Sequence, residues 1–242
     1  MQNSDKQYLI VSEQFYSIQG EGDYSGVPAV FLRLSGCNLD CIGFSEGCDT
    51  KHLWTIGEKY SFKQVIERWR KNDWLKKLQS GAHLILTGGE PLLQMDSLFL
   101  FIEQLDKVLD MHPYIELETN ATILIDDKFL NKIDRINASP KLSNSGNSQE
   151  KAYKREVLLQ LSQLSKTKFK FVILRREDIC EVLNKYVLPF NINLNNIWLM
   201  PEGSTRQAIQ KNSPMVVELC KQYMMNFSPR LQIDIWNKLS GV

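Results

Sequence analysis

Three of the five cysteines in the sequence fall within twelve residues, at Cys37, Cys41 and Cys48. The residues around them are mostly polar or glycine, which is not the usual setting of small side chains packed in a core. Their spacing lacks the Cys-x-x-Cys arrangement of a dithiol redox pair. Clustered thiols of this kind typically bind a metal, so the sequence predicts a metal centre on this segment.

Two kinds of metal centre fit the three thiols. A structural zinc site would add His52 as a fourth ligand and close a tetrahedral Cys₃His shell. An iron–sulfur cluster normally takes four thiolates, so that three would leave one iron open to a small molecule. The first alternative makes the chain a non-catalytic, zinc-stapled α/β protein, and the second makes it an enzyme. The thiols alone leave both open.

Composition limits the setting of such a centre. The chain has 242 residues, with 29 Lys+Arg against 28 Asp+Glu and a net charge of +1. This length suits one domain with a full core, and the balanced charge predicts no direct nucleic-acid partner. The N-terminus is polar and no apolar run reaches membrane length, so we expect a cytoplasmic protein without membrane contact. In a reducing cytosol, clustered thiols favour ligands over disulfides.

Short β-rich apolar runs alternate with longer segments of helical periodicity, which predicts βα units around a mainly parallel sheet. The predicted core strands are Ala29–Leu34, His83–Leu86, Tyr114–Glu118, Arg135–Ala138, Phe169–Leu174 and Asn196–Met200. The predicted helices are Phe62–Lys77, Met95–Met111, Lys151–Leu164, Glu177–Tyr186 and Thr205–Gln222. Two further strands are expected, Glu13–Gln19 and Leu231–Trp236. The Asn/Ser-rich loop from Leu142 to Gln149 is expected only as a flexible crossing.

Polar motifs follow four of the predicted strands. They are Thr87-Gly88-Gly89-Glu90-Pro91, Glu118-Thr119-Asn120, Ser139-Pro140-Lys141 and Met200-Pro201-Glu202-Gly203. Because βα folds gather functional residues at the carboxyl ends of parallel strands, we expect these motifs to form one rim. The paired glycines let a ligand approach the backbone, and Glu90 offers a carboxylate to an ammonium group.

The sequence resembles the radical S-adenosylmethionine (SAM) superfamily in three motifs. They are the cysteine-containing segment Cys37–Cys48 (the thiol loop) after the first core strand, Gly-Gly-Glu-Pro after the second and Ser-Pro-Lys after the fourth. The segments Phe15–Gly22, Gly26–Pro28, Phe31–Leu39 and Cys48–Thr50 closely resemble the 7-carboxy-7-deazaguanine synthase family, and the match continues to Ser228–Leu231. The resemblance implies a partial, modified (β/α)6-type TIM barrel. It also implies one domain over 1–242, with a substrate-binding extension over 1–28.

The resemblance implies a radical SAM lyase. Cys37, Cys41 and Cys48 would hold a [4Fe–4S] cluster, and SAM would complete the open iron. The reduced cluster would cleave SAM to a radical that starts the conversion of 6-carboxy-5,6,7,8-tetrahydropterin to 7-carboxy-7-deazaguanine with loss of ammonia. The product is a queuosine and deazapurine precursor. A flavodoxin or ferredoxin donor, Mg²⁺ and a homodimer are also implied. Another radical SAM ring-modifying or activating enzyme is the alternative within the superfamily.

Residue roles are carried over by matched position. The implied substrate-binding residues are Ile18, Gln19, Gly20, Arg33 and Thr87. The implied SAM-binding residues are Gly89, Glu90, Ser139, Pro140 and Lys141. Thr50 would bind Mg²⁺. Further expected ligand contacts are Glu21, Phe44, Asp49, Glu118, Asn120 and Lys170. From the residues alone, Arg33 could equally be a strand-end arginine that pairs with a nearby acidic residue. Substrate binding and ordinary ion pairing therefore both stay open for Arg33.

The thiol loop departs from the superfamily pattern. Superfamily members usually space their cysteines Cys-x₃-Cys-x₂-Cys, with an aromatic residue just before the third. Here six residues separate Cys41 from Cys48, and Gly47 holds the preceding place. Phe44 is therefore the expected aromatic neighbour of SAM within an enlarged loop. The two remaining cysteines, Cys180 and Cys220, are expected to be core thiols.

Overall fold

Nine strands form one sheet in the computed structural model, which describes residues 7–239 and 241–242. They are β1 (Tyr8–Ile18), β2 (Pro28–Leu34), β3 (Glu58–Ser61), β4 (His83–Gly88), β5 (Ile115–Thr119), β6 (Arg135–Ala138), β7 (Thr167–Ile173), β8 (Ile197–Pro201) and β9 (Asn226–Phe227). The six predicted core strands are confirmed, and β1 contains most of the predicted Glu13–Gln19. Residues 1–6 of the predicted extension 1–28, and residue 240 of the predicted domain, lie outside the described residues.

The strand order is β3-β1-β2-β4-β5-β6-β7-β8-β9. From β2 to β9 each neighbouring pair is parallel, whereas β1 is antiparallel to both β2 and β3. This confirms an α/β fold with a mainly parallel sheet. The sheet is not closed, because β3 and β9 remain its two edges.

The loop between β1 and β2 contacts the segment that follows β9. The backbone N–H of Gly22, in the β1–β2 loop, donates to Oγ of Ser228 at 3.0 Å. The N–H of Leu231 donates to the carbonyl of Gly20 at 3.0 Å. A Cβ at Gly20 would displace the side-chain amide of Gln232, which shows how closely the two segments pack. The segment after β9 is thereby fixed to the segment after β1.

The central strand β4 carries a continuous apolar run because both of its faces are covered. Leu84, Ile85 and Leu86 are consecutive in β4 and each is fully buried. Outside the sheet, Trp69 and Phe101 pack edge to face with ring centroids 5.6 Å apart. Helices long and apolar enough to span a membrane are absent from residues 7–239 and 241–242.

Helices connect the parallel strands. The α-helices are α1 (Lys51–Trp54), α2 (Phe62–Lys71), α3 (Trp74–Gln79), α4 (Met95–Leu109), α5 (Asp127–Leu130), α6 (Gln149–Ala152), α7 (Arg155–Ser162), α8 (Asp178–Glu181), α9 (Leu188–Phe190), α10 (Arg206–Tyr223) and α11 (Leu231–Trp236). A π-helical turn, Val182–Val187, joins α8 to α9. Short 3-10 turns lie at Gly22–Tyr24, Pro91–Gln94, Ser143–Ser145 and Leu194–Asn196. The predictions for α4 and α10 are confirmed to within two residues at each end.

Two predicted helices are broken in the middle. The prediction Phe62–Lys77 splits into α2 and α3, because Asn72 caps the carbonyl of Arg68 at 2.8 Å and Asp73 turns to a φ of 58°. Asn and Asp tolerate these conformations better than other residues. The prediction Lys151–Leu164 splits into α6 and α7, where Tyr153 is extended and its ring packs 5.7 Å from that of Tyr186.

The prediction of a strand at Leu231–Trp236 is wrong, since these residues form α11. The alternation of apolar and polar residues suggested a half-buried strand. However, Ile233 is buried while Ile235 is exposed, whereas a strand would place both side chains on the same face. The helical turn satisfies the backbone hydrogen bonds of this segment locally.

Candidate active site

A cavity of about 620 Å³ lies at the carboxyl ends of the parallel strands. Its wall includes residues from the ends of β4, β5, β7 and β8 and from the loops after β1, β2 and β6. The three clustered thiols, Cys37, Cys41 and Cys48, also line it. The predicted rim of strand-end motifs and the thiol segment therefore face the same space, as expected for a βα fold.

Most residues singled out in the sequence line this cavity. They are Ile18, Gln19, Gly20, Glu21, Arg33, Cys37, Cys41, Phe44, Cys48, Asp49, Thr50, His52, Thr87, Gly89, Glu118, Asn120, Ser139, Lys141 and Lys170. Glu90 and Pro140 lie outside its wall. The shared wall brings together side chains that are as much as 152 residues apart, from Ile18 to Lys170.

The thiol loop, residues 37–48, carries three free cysteines. Cys41 is buried, and its Sγ accepts a hydrogen bond from Nδ2 of Asn147 at 3.3 Å. Nδ2 of Asn120 lies 3.9 Å from Sγ of Cys37. Burial raises the pKa of the Cys37 and Cys41 thiols. Nearby N–H groups and a bound metal both favour the thiolate, so this donor set fits an iron–sulfur cluster.

A zinc site would need His52 to converge on one ion with the three thiols. Within the described parts of the chain, no group of three or more His, Cys, Asp or Glu side chains is arranged to hold a metal ion. His52 lines the cavity but does not complete a ligand group with Cys37, Cys41 and Cys48. A cluster places its ligands around several irons rather than one, so it does not need that convergence.

The glycine turn after β4 packs directly on the thiol loop. The N–H of Glu90 donates to the carbonyl of Gly36 at 2.9 Å. A Cβ at Gly89 would clash with that carbonyl and lie 2.6 Å from Cβ of Cys37. Gly89 is therefore required by the close packing of two loops, and the backbone of this turn is held next to the first thiol.

Glu90 is fully buried and acts on the protein itself. Its carboxylate accepts hydrogen bonds from the N–H of Asn120 at 2.7 Å, from Oγ1 of Thr119 at 2.9 Å and from the N–H of Leu92 at 3.1 Å. Burial raises its pKa to about 7, although these hydrogen bonds oppose the shift. Glu90 thereby ties the end of β5 to the glycine turn.

A buried ion-pair network crosses the cavity floor. Nζ of Lys170 on β7 lies 2.5 Å from Oε2 of Glu21 and 3.0 Å from Oε2 of Glu118. Burial opposes the charge on Lys170, but the two carboxylates outweigh it and raise its pKa. Burial raises the pKa of Glu118. For Glu21, the positive charges of Lys170 and Arg230 outweigh burial and lower its pKa to about 2.

Arg230 extends this network to the other side of the cavity. Its guanidinium pairs with Asp49 and with Glu21, the latter at 3.2 Å, and Nη1 donates to the carbonyl of Gly203 at 2.5 Å. Nε2 of Gln232 donates to Glu21 at 2.8 Å. Arg230 and Gln232 both line the cavity. The C-terminal segment therefore contributes to the site, although its secondary structure was predicted wrongly.

Gln19 is nearly buried, with all its polar atoms engaged. Its Nε2 donates to Glu116 and Glu118, both at 3.2 Å, and its Oε1 accepts from the N–H of Gly20 at 2.9 Å. Nδ2 of Asn137 donates to the same two carboxylates at 2.9 Å. The amide thus fixes the start of the β1–β2 loop against β5 and β6.

Arg33 lines the cavity and also pairs across strands. Its Nε donates to Oε2 of Glu13, its register partner on β1, at 2.8 Å. This uses one of the five N–H donors of the guanidinium. Phe15 and Phe31 stack 4.7 Å apart and both line the cavity as a flat apolar wall. This aromatic pair was not predicted from the sequence. The two residues are register partners on β1 and β2, and both side chains face the cavity.

The remaining predicted residues surround the thiol loop. Nζ of Lys141 donates to Oγ of Ser139 at 2.9 Å. Oγ1 of Thr50 lies 3.6 Å from Sγ of Cys48. Thr87, at the end of β4, is the register partner of Arg33. These contacts place the Ser139 and Thr50 hydroxyls within the same cavity as the thiols.

The six residues between Cys41 and Cys48 reach toward β8. Oγ of Ser45 donates to Glu202 at 2.7 Å. Glu46 accepts from Oγ of Ser204 at 2.6 Å and pairs with Lys238 at 3.0 Å. The enlarged part of the loop is therefore held by the residues that follow β8 and by the C-terminal segment.

Two sequence expectations outside the thiol loop are wrong. Cys180 is exposed rather than a core thiol, whereas Cys220 is buried as expected. The loop from Leu142 to Gln149 is more than a flexible crossing. Its Ser145 is fully buried and accepts a hydrogen bond from the N–H of Gly43 in the thiol loop at 2.9 Å.

Comparisons with known proteins agree with this geometry. A family model described as a 4Fe-4S single cluster domain matches residues 18–149. The 7-carboxy-7-deazaguanine synthase of Halobacterium salinarum is 31% identical over 252 aligned residues, covering 95% of this chain and 91% of that protein. The protein of the same name from Pyrobaculum aerophilum is 29% identical and covers 96% of each chain.

A solved structure has the same fold. The crystal structure of QueE from Escherichia coli aligns with a TM-score of 0.65 and 22% identity, over 94% of this chain and 97% of that chain. The fold, the three thiols and the 4Fe-4S domain together define a radical SAM enzyme, which uses a [4Fe–4S] cluster and SAM. The chain belongs to the 7-carboxy-7-deazaguanine synthase family.

Proposed function

We propose that this chain converts 6-carboxy-5,6,7,8-tetrahydropterin to 7-carboxy-7-deazaguanine, with loss of ammonia, in the cavity at the strand ends. The observation that carries the proposal is that three free thiols and the buried Glu21–Lys170–Glu118 network line the same cavity of about 620 Å³. A cavity of this size accommodates a nucleoside-sized cofactor beside a flat bicyclic substrate. Membership of the synthase family supports the same reaction.

Cys37, Cys41 and Cys48 would hold the cluster, and its open iron would take the amino and carboxylate groups of SAM. When bound and reduced, the cluster supplies the electron that cleaves SAM and so generates the radical that starts the reaction. The glycine backbone at Gly89 packs against Cys37, so we assign it to the methionine end of SAM. Ser139 and Lys141, which are joined by a hydrogen bond, suit the nucleoside end.

Glu90 and Pro140 would serve SAM indirectly, because neither lines the cavity. Glu90 holds Thr119 and Asn120, whose positions bound the SAM region. Phe44 is the aromatic residue of the thiol loop in the cavity wall, and we assign it to the adenine.

The pterin would lie against the β1–β2 side of the cavity. Ile18, Gln19 and Gly20 line that side, and the Gln19 and Lys170 side chains fix the loop that carries them. Arg33 keeps N–H donors beyond the one given to Glu13, and a planar guanidinium suits the substrate carboxylate. Thr87, its register partner, would bind the same end of the substrate.

Magnesium would bind at Thr50, whose hydroxyl lies beside Cys48 in the cavity wall. A hard cation prefers oxygen ligands and retains several waters. Asp49 pairs with Arg230, so we assign it to the support of Thr50 rather than to the metal. At Thr50 the ion would supply positive charge to the substrate carboxylate.

The larger setting follows from the family. The parallel strands would curve as a partial (β/α)6 barrel around the cavity, within one domain over 1–242. We infer a cytoplasmic homodimer that receives electrons from a flavodoxin or ferredoxin. Support for the barrel comes from the consecutive order of β4 to β8, each parallel to the next.

Metal analysis tests the cluster assignment. Purified without oxygen, the protein should be brown, with about four irons per chain, and should cleave SAM when reduced. Cys41→Ala should lose iron and SAM cleavage. Cys180→Ala is the matched control, because that thiol is exposed and outside the cavity. A colourless protein with one zinc, or SAM cleavage by Cys41→Ala, would contradict the assignment.

A further inference from the structure

The loop after β6 meets the thiol loop through main-chain atoms. The N–H of Gly43 donates to the carbonyl of Ser145 at 2.9 Å. A Cβ at Gly43 would clash with the carbonyl of Asn144, and one at Gly146 would lie 2.9 Å from the nitrogen of Gly43. The two backbones therefore approach more closely than side chains would allow. This contact fixes the position of Gly43, two residues after Cys41.

Asn147 ends the same loop and places its amide beside a cluster thiol. Its Oδ1 accepts from the N–H of Asp40 at 3.0 Å. Its Nδ2 donates to Sγ of Cys41 at 3.3 Å and to Oγ of Ser145 at 3.2 Å. Only the amide oxygen can accept from Asp40, so the NH₂ group must face the sulfur. The orientation of the amide is thus set by the protein.

We propose that Asn147 is a positioning residue that raises the reduction potential of the cluster by donating a hydrogen bond to the Cys41 thiolate. The inference rests on the proposed function only in that Cys41 holds the cluster. A hydrogen bond to a charged acceptor strengthens as the acceptor becomes more negative. The reduced cluster carries one more negative charge than the oxidised cluster, so the N–H···S bond favours reduction.

Two variants remove the donor in different ways. Asn147→Leu keeps a similar volume without polar atoms. Asn147→Asp keeps an oxygen for the N–H of Asp40 but offers no N–H to the sulfur. The matched control is Asn144→Leu in the same loop, since the amide of Asn144 donates to the carbonyl of Val172 and to Asp178 instead of sulfur.

Each full-length protein is reconstituted anaerobically with iron and sulfide, and the EPR signal of the reduced cluster is recorded against the applied potential. In both Asn147 variants, the ratio of reduced to oxidised cluster at a fixed potential should fall about threefold to tenfold, with the larger fall in Asn147→Asp. Asn144→Leu should leave this ratio within about 1.5-fold of the parent. Iron content is measured on the same samples.

An unchanged ratio in both Asn147 variants would overturn the proposal, as would an equal fall in Asn144→Leu. Loss of iron from both Asn147 variants, with full loading of Asn144→Leu, would also overturn it, because Asn147 would then only support the loop. The titration contains no substrate, so its result is independent of the product formed. A parent chain that binds no cluster contradicts the proposed function instead.

Discussion

Lys170 and Glu21 form an ion pair in the cavity floor, with Nζ 2.5 Å from Oε2. The two residues are 149 positions apart and join β7 to the loop after β1. Glu118 and Arg230 complete the network at 3.0 Å from Lys170 and 3.2 Å from Glu21. Because charges removed from water must be paired, each member of this group holds its neighbours in a fixed geometry.

The low pKa of Glu21 predicts a defined pH dependence of stability. Its pKa is about 2 in the folded chain, against an ordinary value of 4.5. The ionised form is therefore favoured by folding, which contributes up to about 3 kcal/mol above pH 4.5 and loses this contribution as the pH falls through about 2. In urea unfolding, Glu21→Gln should be less stable than the parent at about pH 6, and the difference should shrink by about pH 3. A difference that stays constant with pH would contradict the pairing.

Removing the positive charge of Lys170 should lower the free energy of unfolding more than removing that of Lys168, which lies on the same strand, β7. Lys170→Met removes the cation that pairs with Glu118 and leaves Glu21 with Arg230 alone, and the loss of one member of a buried pair costs about 3–5 kcal/mol. The matched control is Lys168→Met, which removes an amine that donates to Oδ1 of Asn196 at 2.7 Å and should cost about 1 kcal/mol or less. Urea midpoints measure both. Equal losses of unfolding free energy in Lys170→Met and Lys168→Met would contradict a stabilising role for the network.

Substitutions of Arg33 and of its partner Glu13 distinguish substrate recognition from cross-strand pairing. Arg33→Lys keeps the positive charge but loses the planar fork, so KM for the pterin should rise about tenfold to a hundredfold. SAM cleavage without substrate should be unchanged. Glu13→Gln removes the pair with Arg33 and is the control. If Glu13→Gln raises KM as much as Arg33→Lys, the arginine only pairs with its neighbour.

Gly89 tests the packing between the glycine turn and the thiol loop. In Gly89→Ala the new Cβ would clash with the carbonyl of Gly36, so the thiol loop must shift and iron content should fall by about half or more. Gly81→Ala is the control, because it has a φ of 98° but nothing within 4 Å of its Cβ. That variant should lose about 1 kcal/mol of stability and keep its iron. Full iron loading in Gly89→Ala would contradict this packing.

The sequence predicted the features that depend on local pattern. Apolar runs such as Leu84–Leu86 identify strands buried on both faces, and their ends locate the rim. Leu231–Trp236 alternates like a strand but forms a helix that is bonded through Leu231 to the loop after β1. Periodicity carries no information about that neighbour.

Long-range polar contacts were the least predictable part of the site. Glu90 reads as a ligand in its motif, yet its oxygens are taken by Thr119 and Asn120, about thirty residues on. Asn147 lies in a loop that looked merely flexible, yet it contacts Cys41. Hydrogen bonds between side chains distant in sequence arise only from the folded arrangement, so motifs alone do not reveal them.

The most direct test of the account is product formation by the reconstituted enzyme. The protein is incubated without oxygen with reductant, SAM, Mg²⁺ and 6-carboxy-5,6,7,8-tetrahydropterin, and products are identified by mass spectrometry. We predict 7-carboxy-7-deazaguanine and ammonia from the parent and neither from Cys41→Ala. Cleavage of SAM without 7-carboxy-7-deazaguanine would contradict the proposed reaction, leaving a radical SAM enzyme with another substrate.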